Sequence, residues 1–227
     1  NKLADAALQQ SEADEASVML PAPEGEALVV AAVRGAGRGY LAGERVPLAM
    51  GVAGWVARFR EMLELKGEVR DPRFTPLHPR PEIRHALCVP MLAGNDFIGV
   101  LNVNVTRQRR PFTLRDAKAL SILAGLGAAA LQSARLLAQV QADEKRFRAL
   151  IENASDAIAL ASADGTILYD SPAVTPVLGY AVGERTGQPF FELVHPDDLP
   201  DVTQRFAQIV QQPGALVTAQ LRYRHKD

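Results

Sequence analysis

The sequence predicts an α+β chain: two domains, each built on an antiparallel sheet, joined by a long helix. Three observations carry this reading. Apolar runs of strand length gather before residue 112 and again after residue 153, punctuated by Pro/Gly turn segments. Between them, residues 113–152 contain no proline and mostly good helix formers. The chain of 227 residues, 48% of them hydrophobic, is long enough for two cores. The expected division is 1–112, 113–152 and 153–227.

Charge and cysteine content narrow the function classes. Lys plus Arg is 25 against 26 Asp plus Glu, a net charge of −1, which argues against bulk attraction to nucleic acid or an anionic membrane. The cluster Arg107, Arg109 and Arg110 reads as a solvated loop. Cys88 is the only cysteine, so no intrachain disulfide is available. No apolar run is expected to approach the ~20 residues that span a bilayer, and no signal peptide opens the chain. The expectation is a cytoplasmic protein. The chain begins in a helix-like pattern and stops at Lys226–Asp227, so a piece of a longer protein is expected.

Taken in order, residues 1–10 carry Leu3, Ala7 and Leu8 at helical spacing. Ala16–Leu20 and Ala27–Arg34 read as strands joined by the turn segment PAPEGE. Gly35–Gly43 is a glycine-rich crossover, and ERVPL is a short edge strand containing Pro47. GVAGWVARFRE turns helical, with Val52, Val56 and Phe59 on one face and Trp55 beside them. Met62–Lys66 is a short strand, residues 67–84 a proline-rich loop, and HALCVPML with DFIGVLNVNV a hairpin.

Thr113 and Asp116 form a capping-box pattern at the start of the helix. A 4,3,4,3 spacing follows through Ala119, Leu123, Leu126, Ala130, Ser133, Leu137, Val140, Glu144, Phe147 and Ile151, the period of a coiled-coil seam. Gly125 and Gly127 lower helix propensity but let a second helix come close. Two shorter helices broken at these glycines are the alternative. The seam crosses them in register, which favours one continuous helix and a parallel homodimer.

In the last third, DAIALASADGTILYDSP reads strand, turn, strand, with Asp164–Gly165 suited to a type I′ turn. Ser171–Pro172 reads as a cap followed by proline at the first helical position. HPDDLPDVTQRFAQIVQQPG gives a helix with Leu199, Val202, Phe206 and Ile209 on one face, opened by acidic caps and stopped at Pro213–Gly214. ALVTAQLRYRH alternates and reads as a strand with one wet face.

Two resemblances follow from these phrases. GERVPLAMGVAGWVARFRE, EVRDPRF, IRHALCVPMLAGNDFIGVLNVN and PFTLRDAKALSILAGLGAAAL, in that order, resemble a GAF domain across about residues 1–135. FRALIENASDAIALASADGTILYDSPAVTPVLGY, GERTGQPFFELVHPDDLPDV and VTAQLRYRHKD resemble a PAS domain, although such a domain normally carries two further strands. The resemblance implies two sensor domains, GAF then PAS, as in bacterial sensor histidine kinases or cyclic-di-nucleotide signalling proteins. In GAF domains the ligand lies between the sheet and the long loop, here residues 67–84.

It implies pocket candidates Met50, Trp55, Phe74, Arg84 and Cys88 in the first domain, and Tyr169, Val177, Phe190 and Phe191 in the second. Cyclic-nucleotide GAF domains carry an Asn-Lys pair and a Phe…Asp-Glu phrase. Phe112 and Asp116 fit, but Ala117 replaces the Glu and the Asn-Lys is missing. Cys88, within an apolar strand, reads as a buried thiol rather than a chromophore attachment, and a single cysteine cannot supply sulfoxide-reductase thiol exchange. His195, Asp197 and Asp198 read as a helix opening rather than a metal site. Haem lacks a convincing ligand in His195 or His225. No catalytic constellation is expected, nor a metal, nor an evident cofactor. The expected partners are a second copy and an output domain of the same longer protein. The expected role is a ligand-binding input segment that signals through a dimeric helix; the alternatives are a ligand-free dimerisation scaffold that spaces output domains, or a haem or chromophore sensor.

Overall fold

A computed structural model describes residues 2–35, 41–66, 72–75, 80–107, 110–212 and 214–227. The expected crossover and proline-rich loop lie largely outside the described residues. The chain divides into two compact units, Asn1–Ala138 and Gln139–Asp227.

In the first unit, strands Glu15–Pro21 (β1), Ala27–Gly35 (β2), Arg45–Pro47 (β3), Leu63–Lys66 (β4), His85–Ala93 (β5) and Asp96–Val105 (β6) form one antiparallel sheet. Their order is β3-β2-β1-β6-β5-β4. Three helices accompany it: Lys2–Ser11 (α1), Gly51–Phe59 (α2) and Leu114–Glu152 (α3). Val18, Leu87, Val89, Leu101 and Val103 share one core with α1 and the first half of α3. Met19, Val30, Val46, Cys88 and Val100 share another with α2. Because both faces are covered, Ala86–Val89 is buried without a gap. These strands therefore read in sequence as apolar runs, not as an alternation.

Helix α3 is continuous, and its start is the predicted capping box. The Thr113 backbone N–H donates to the Asp116 carboxylate at 2.7 Å, and the Asp116 N–H donates back to the Thr113 hydroxyl at 3.3 Å. Arg110 adds a forked pair of hydrogen bonds at 2.5 and 3.1 Å. Further along, Ala117, Leu120, Ala124 and Ala128 are buried in the first core. Full burial of Leu120 alone contributes about 1.5–3 kcal/mol. A Cβ on Gly127 would stand 2.7 Å from Leu3 of α1, so this glycine permits the close approach. Gly125 faces open space and does no such work.

After the last part of α3, the second unit continues in a hairpin of Ala159–Ala161 (β7) and Ile167–Asp170 (β8). Short helix Val174–Leu178 (α4), a 3₁₀ turn at Phe190–Leu193 and helix Leu199–Gln211 (α5) follow. Its strongest internal tie is charged. Arg185 grips Asp170 with two hydrogen bonds of 2.6 and 3.0 Å, and both side chains are at most 4% exposed. The Tyr223 hydroxyl accepts from Arg185 at 3.0 Å and donates to the Phe190 carbonyl at 3.2 Å. Residues distant in sequence are thereby locked to β8.

Several expectations are corrected. Phe59 is half exposed, while Ala53, Gly54 and Val56 are the buried side of α2. The β7–β8 turn is not type I′: Gly165 alone has positive φ (+86°), and its N–H donates to the Ser162 carbonyl. This is a three-residue loop with a glycine bulge. The Ser171 hydroxyl accepts from the Ile158 N–H instead of capping α4. Asp198 occupies the N-cap of α5 but gives its carboxylate to Arg222 at 2.7–3.1 Å rather than to a helix N–H. Those hydrogen bonds hold its pKa down at about 2.

Residues 215–225 form no strand. Tyr223 makes a single bridge to Val194, and the His195 and Arg224 N–H groups donate to Arg222 and Leu193 carbonyls. Alternation supplies a wet and a dry face but not the ladder partner a strand needs. Finally, α3 is long and apolar enough by composition to cross a membrane, contrary to the expectation that no run approaches that length. Ala117, Leu120, Ala124 and Ala128 of this helix are enclosed by protein, whereas only 17% of its most apolar 18-residue window is buried.

The capping box predicts an acid response. Hydrogen bonding to Arg110 and Thr113 holds the Asp116 carboxyl well below the ordinary carboxylate range. A depressed folded pKa means that its stabilisation is complete above the unfolded value and is lost as pH falls through the folded one. Thermal midpoints should therefore fall more steeply below about pH 4 in the wild type than in Asp116→Asn, which starts lower at pH 7. Parallel curves would refute the assignment.

Candidate functional site

Register places a polar patch at the centre of the first sheet. On β1, Ala16 and Val18 face the core shared with α1 and α3, so Glu15, Ser17 and Met19 point to the α2 side. Pairing sets Glu15 beside Asn104, which in turn faces Ala86 on the next strand, and Ser17 beside Asn102, which faces Cys88. Met19 and Val100 continue the next row as plain core. Thus the two central strands, β1 and β6, carry four polar side chains on the α2 face.

Glu15 is only 7% exposed and needs a partner. Arg80 supplies one, with its two terminal nitrogens at 2.7 and 2.9 Å from the carboxylate. Asn104 donates to the same carboxylate at 3.4 Å. Hydrogen bonding to Glu15 raises the Arg80 pKa, against the desolvation that opposes it, so the guanidinium stays charged. A carboxylate, a hydroxyl and two amides offer hydrogen-bond acceptors and donors beside an apolar layer. Such a mixture can orient a small polar ligand.

The predicted residues distribute unevenly around this patch. Cys88 is fully buried in the α2-side core, with Trp55 and Phe74 packed against it. Arg73 lies over the Trp55 ring at 5.2 Å, and Phe59 stacks beside it at 4.8 Å. Met50 stands half buried at the N-cap of α2, and Arg84 is exposed. Burial raises the Cys88 thiol pKa well above its ordinary value. Sequence reasoning missed Glu15, Ser17, Asn102, Asn104 and Arg80. One signal was available: LNVNV places asparagine at every second position of an otherwise apolar strand, marking one face as polar.

In the second unit, Phe190 and Phe191 meet Phe206 of α5 edge-on at 5.2 and 5.4 Å. A Cβ on Gly165 would overlap Phe191, which explains the glycine at that positive-φ turn. Tyr169 is half buried on β8, and Val177 is exposed. Those two stand outside the aromatic cluster. Arg185 lies between the rings of Tyr180 and Tyr223, 5.5 and 5.6 Å from their centres. With both charges enclosed and mutually satisfied, this group serves cohesion better than exchange.

Comparison with known proteins agrees with both resemblances. The family model described as GAF domain matches residues 1–131, and that described as PAS fold matches residues 145–224. The second GAF domain of DevS from Mycobacterium smegmatis is 27% identical, with a TM-score of 0.51 over 61% of this chain and 94% of its own. A GAF domain/HD domain protein from Geobacter sulfurreducens shares the fold at 18% identity, with a TM-score of 0.52 over 60% and 90%. The blue-light absorbing form of the PixJ GAF domain from Thermosynechococcus elongatus does so at 19% identity, with a TM-score of 0.50 over 63% and 88%.

Two outcomes follow from this geometry. Cys88 should resist a water-soluble disulfide reagent in the native chain and react stoichiometrically in denaturant. Fast native reaction would contradict its burial. Asp170→Ala, which strands a buried guanidinium, should cost the second unit about 3–5 kcal/mol in urea unfolding. Asp201→Ala, which removes an exposed pair with Arg205, should leave the urea midpoint unchanged within error.

Proposed function

The chain belongs to the GAF domain family and carries a PAS domain behind it, and on that premise we propose that it is a sensory input segment of a signal-transduction protein. GAF and PAS domains are regulatory sensors, typical of signalling proteins that bind small ligands. In this reading the first unit takes a small ligand on the α2 side of its sheet. A dimer of α3 helices carries the resulting shift to an output module. The cytoplasm, where such domains typically work, is the proposed compartment.

The observation that supports the relay is the two-sidedness of α3. At 100° per residue, Ala117, Leu120, Ala124 and Ala128 define its buried face. Ile122, Leu126, Leu137 and Val140 fall on the opposite side, each at least 60% exposed. Ala6, Gln9 and Gln10 of α1 border that side, together with Ala119, Ile122 and Leu126, in an open groove of about 430 Å³. An apolar stripe along a helix that already packs on its own core suits a second copy in parallel register. Ligand would then act by favouring one packing of sheet on helix over another.

A native mass spectrum of the purified chain tests the reading. A dimer carrying additional mass supports a liganded sensor, and the excess narrows its chemistry. Leu126→Lys combined with Leu137→Lys should yield folded monomers and abolish relay. A wild-type monomer at tens of micromolar, or a double variant that still dimerises, would overturn the helix relay.

A further inference from the structure

The polar patch on β1 and β6 has more chemistry than a sheet centre requires. Met19, Val100 and Cys88 show what the same rows hold when only packing is at stake. Glu15 sits on a central strand, laddered to β2 on one side and to β6 on the other, so the sheet fixes its position. Arg80 reaches it from outside any helix or strand. The anion is the member of the pair held in place by strand ladders, and the guanidinium is not.

Arg80 has a second partner in Glu82, at 2.7 Å, whose side chain is 49% exposed. A displaced Arg80 would keep that pairing near solvent. A displaced Glu15 has no such refuge, since its side chain is 9% exposed. An anionic ligand that drew Arg80 away would strand a buried carboxylate, a costly outcome. A ligand with its own planar pair of N–H donors would replace Arg80 like for like. Resting on the sensor reading above, we infer that Glu15, with Ser17, Asn102 and Asn104 beside it, recognises a ligand bearing a guanidinium or amidinium group, and that Arg80 is the chain's own occupant of that site. Ligand entry displaces Arg80 from Glu15 towards its second partner, Glu82.

The test titrates agmatine into the full chain by calorimetry, with succinate as an anionic control. Arg80→Ala removes the internal competitor and should bind agmatine at least about tenfold more tightly than wild type. Adding Glu15→Gln should abolish that gain. Arg80→Lys keeps the charge but loses the fork; it should bind agmatine more tightly than wild type and serves where the alanine variant does not fold. Three results would overturn the inference: no agmatine binding by either variant up to about 10 mM, where even a contact of a few kcal/mol would register; binding unchanged by Glu15→Gln; or a preference for succinate. If agmatine fails while the native mass spectrum still shows bound mass, the ligand class falls and the sensor reading stands.

Discussion

The packing of one face of α3 on the first sheet is the constraint from which most of the architecture follows. Small residues at Ala117, Ala124 and Ala128 bring the helix close, with Leu120 as the large side chain among them. The capping box at Thr113 and Asp116 sets where that face begins. Because the helix is rigid, fixing its rotation here also fixes which residues point away. Ile122, Leu126, Leu137 and Val140 are outward because Leu120 and Ala124 are inward. The helix thus carries an exposed apolar stripe as well as a buried face.

Much of the fold was legible because local rules and burial agree. The hairpin of β5 and β6, the strands β1 and β2, the continuity of α3 and its cap could all be read from residue type and spacing. What escaped required information about pairing. Glu15 and Asn104 are 89 residues apart, and only register makes them neighbours. Arg80 belongs to a stretch without periodicity, so nothing local marks its partner. Phe59 fitted the helical stripe of α2, yet Ala53, Gly54 and Val56 are buried instead: Ala53 and Val56 enter the core, and a Cβ on Gly54 would stand 2.5 Å from the Leu48 carbonyl oxygen. The alternation in 215–225 was real as a pattern, but a strand is a property of two segments.

Caps show a related limit. Asp198 and Ser171 both have the right identity for an N-cap, and each spends its oxygen elsewhere: Asp198 on Arg222, Ser171 on the Ile158 N–H. A side chain that can accept a hydrogen bond takes the best donor the tertiary fold offers, and a charged guanidinium competes well against a solvated helix end. Thr113 and Asp116 succeed because each supplies the other's partner within the same turn, so no distant group has to be known.

Two buried ion pairs among the described residues are chemically alike but differently built. Asp170 and Arg185 are 2% and 4% exposed, with Tyr223 bonded to the guanidinium and aromatic rings on it. Every group there is satisfied by a neighbour that is itself part of the unit, so opening the pair would dismantle its surroundings. Glu15 and Arg80 are 9% and 13% exposed, and the arginine has a second carboxylate waiting towards solvent. Breaking a buried pair is costly when a charge is left alone, and far less so when both charges find partners again. The first arrangement therefore holds a domain together, whereas the second can be opened by a molecule that offers Glu15 the same fork of donors. That difference, more than the presence of either pair, separates a structural lock from a site of exchange.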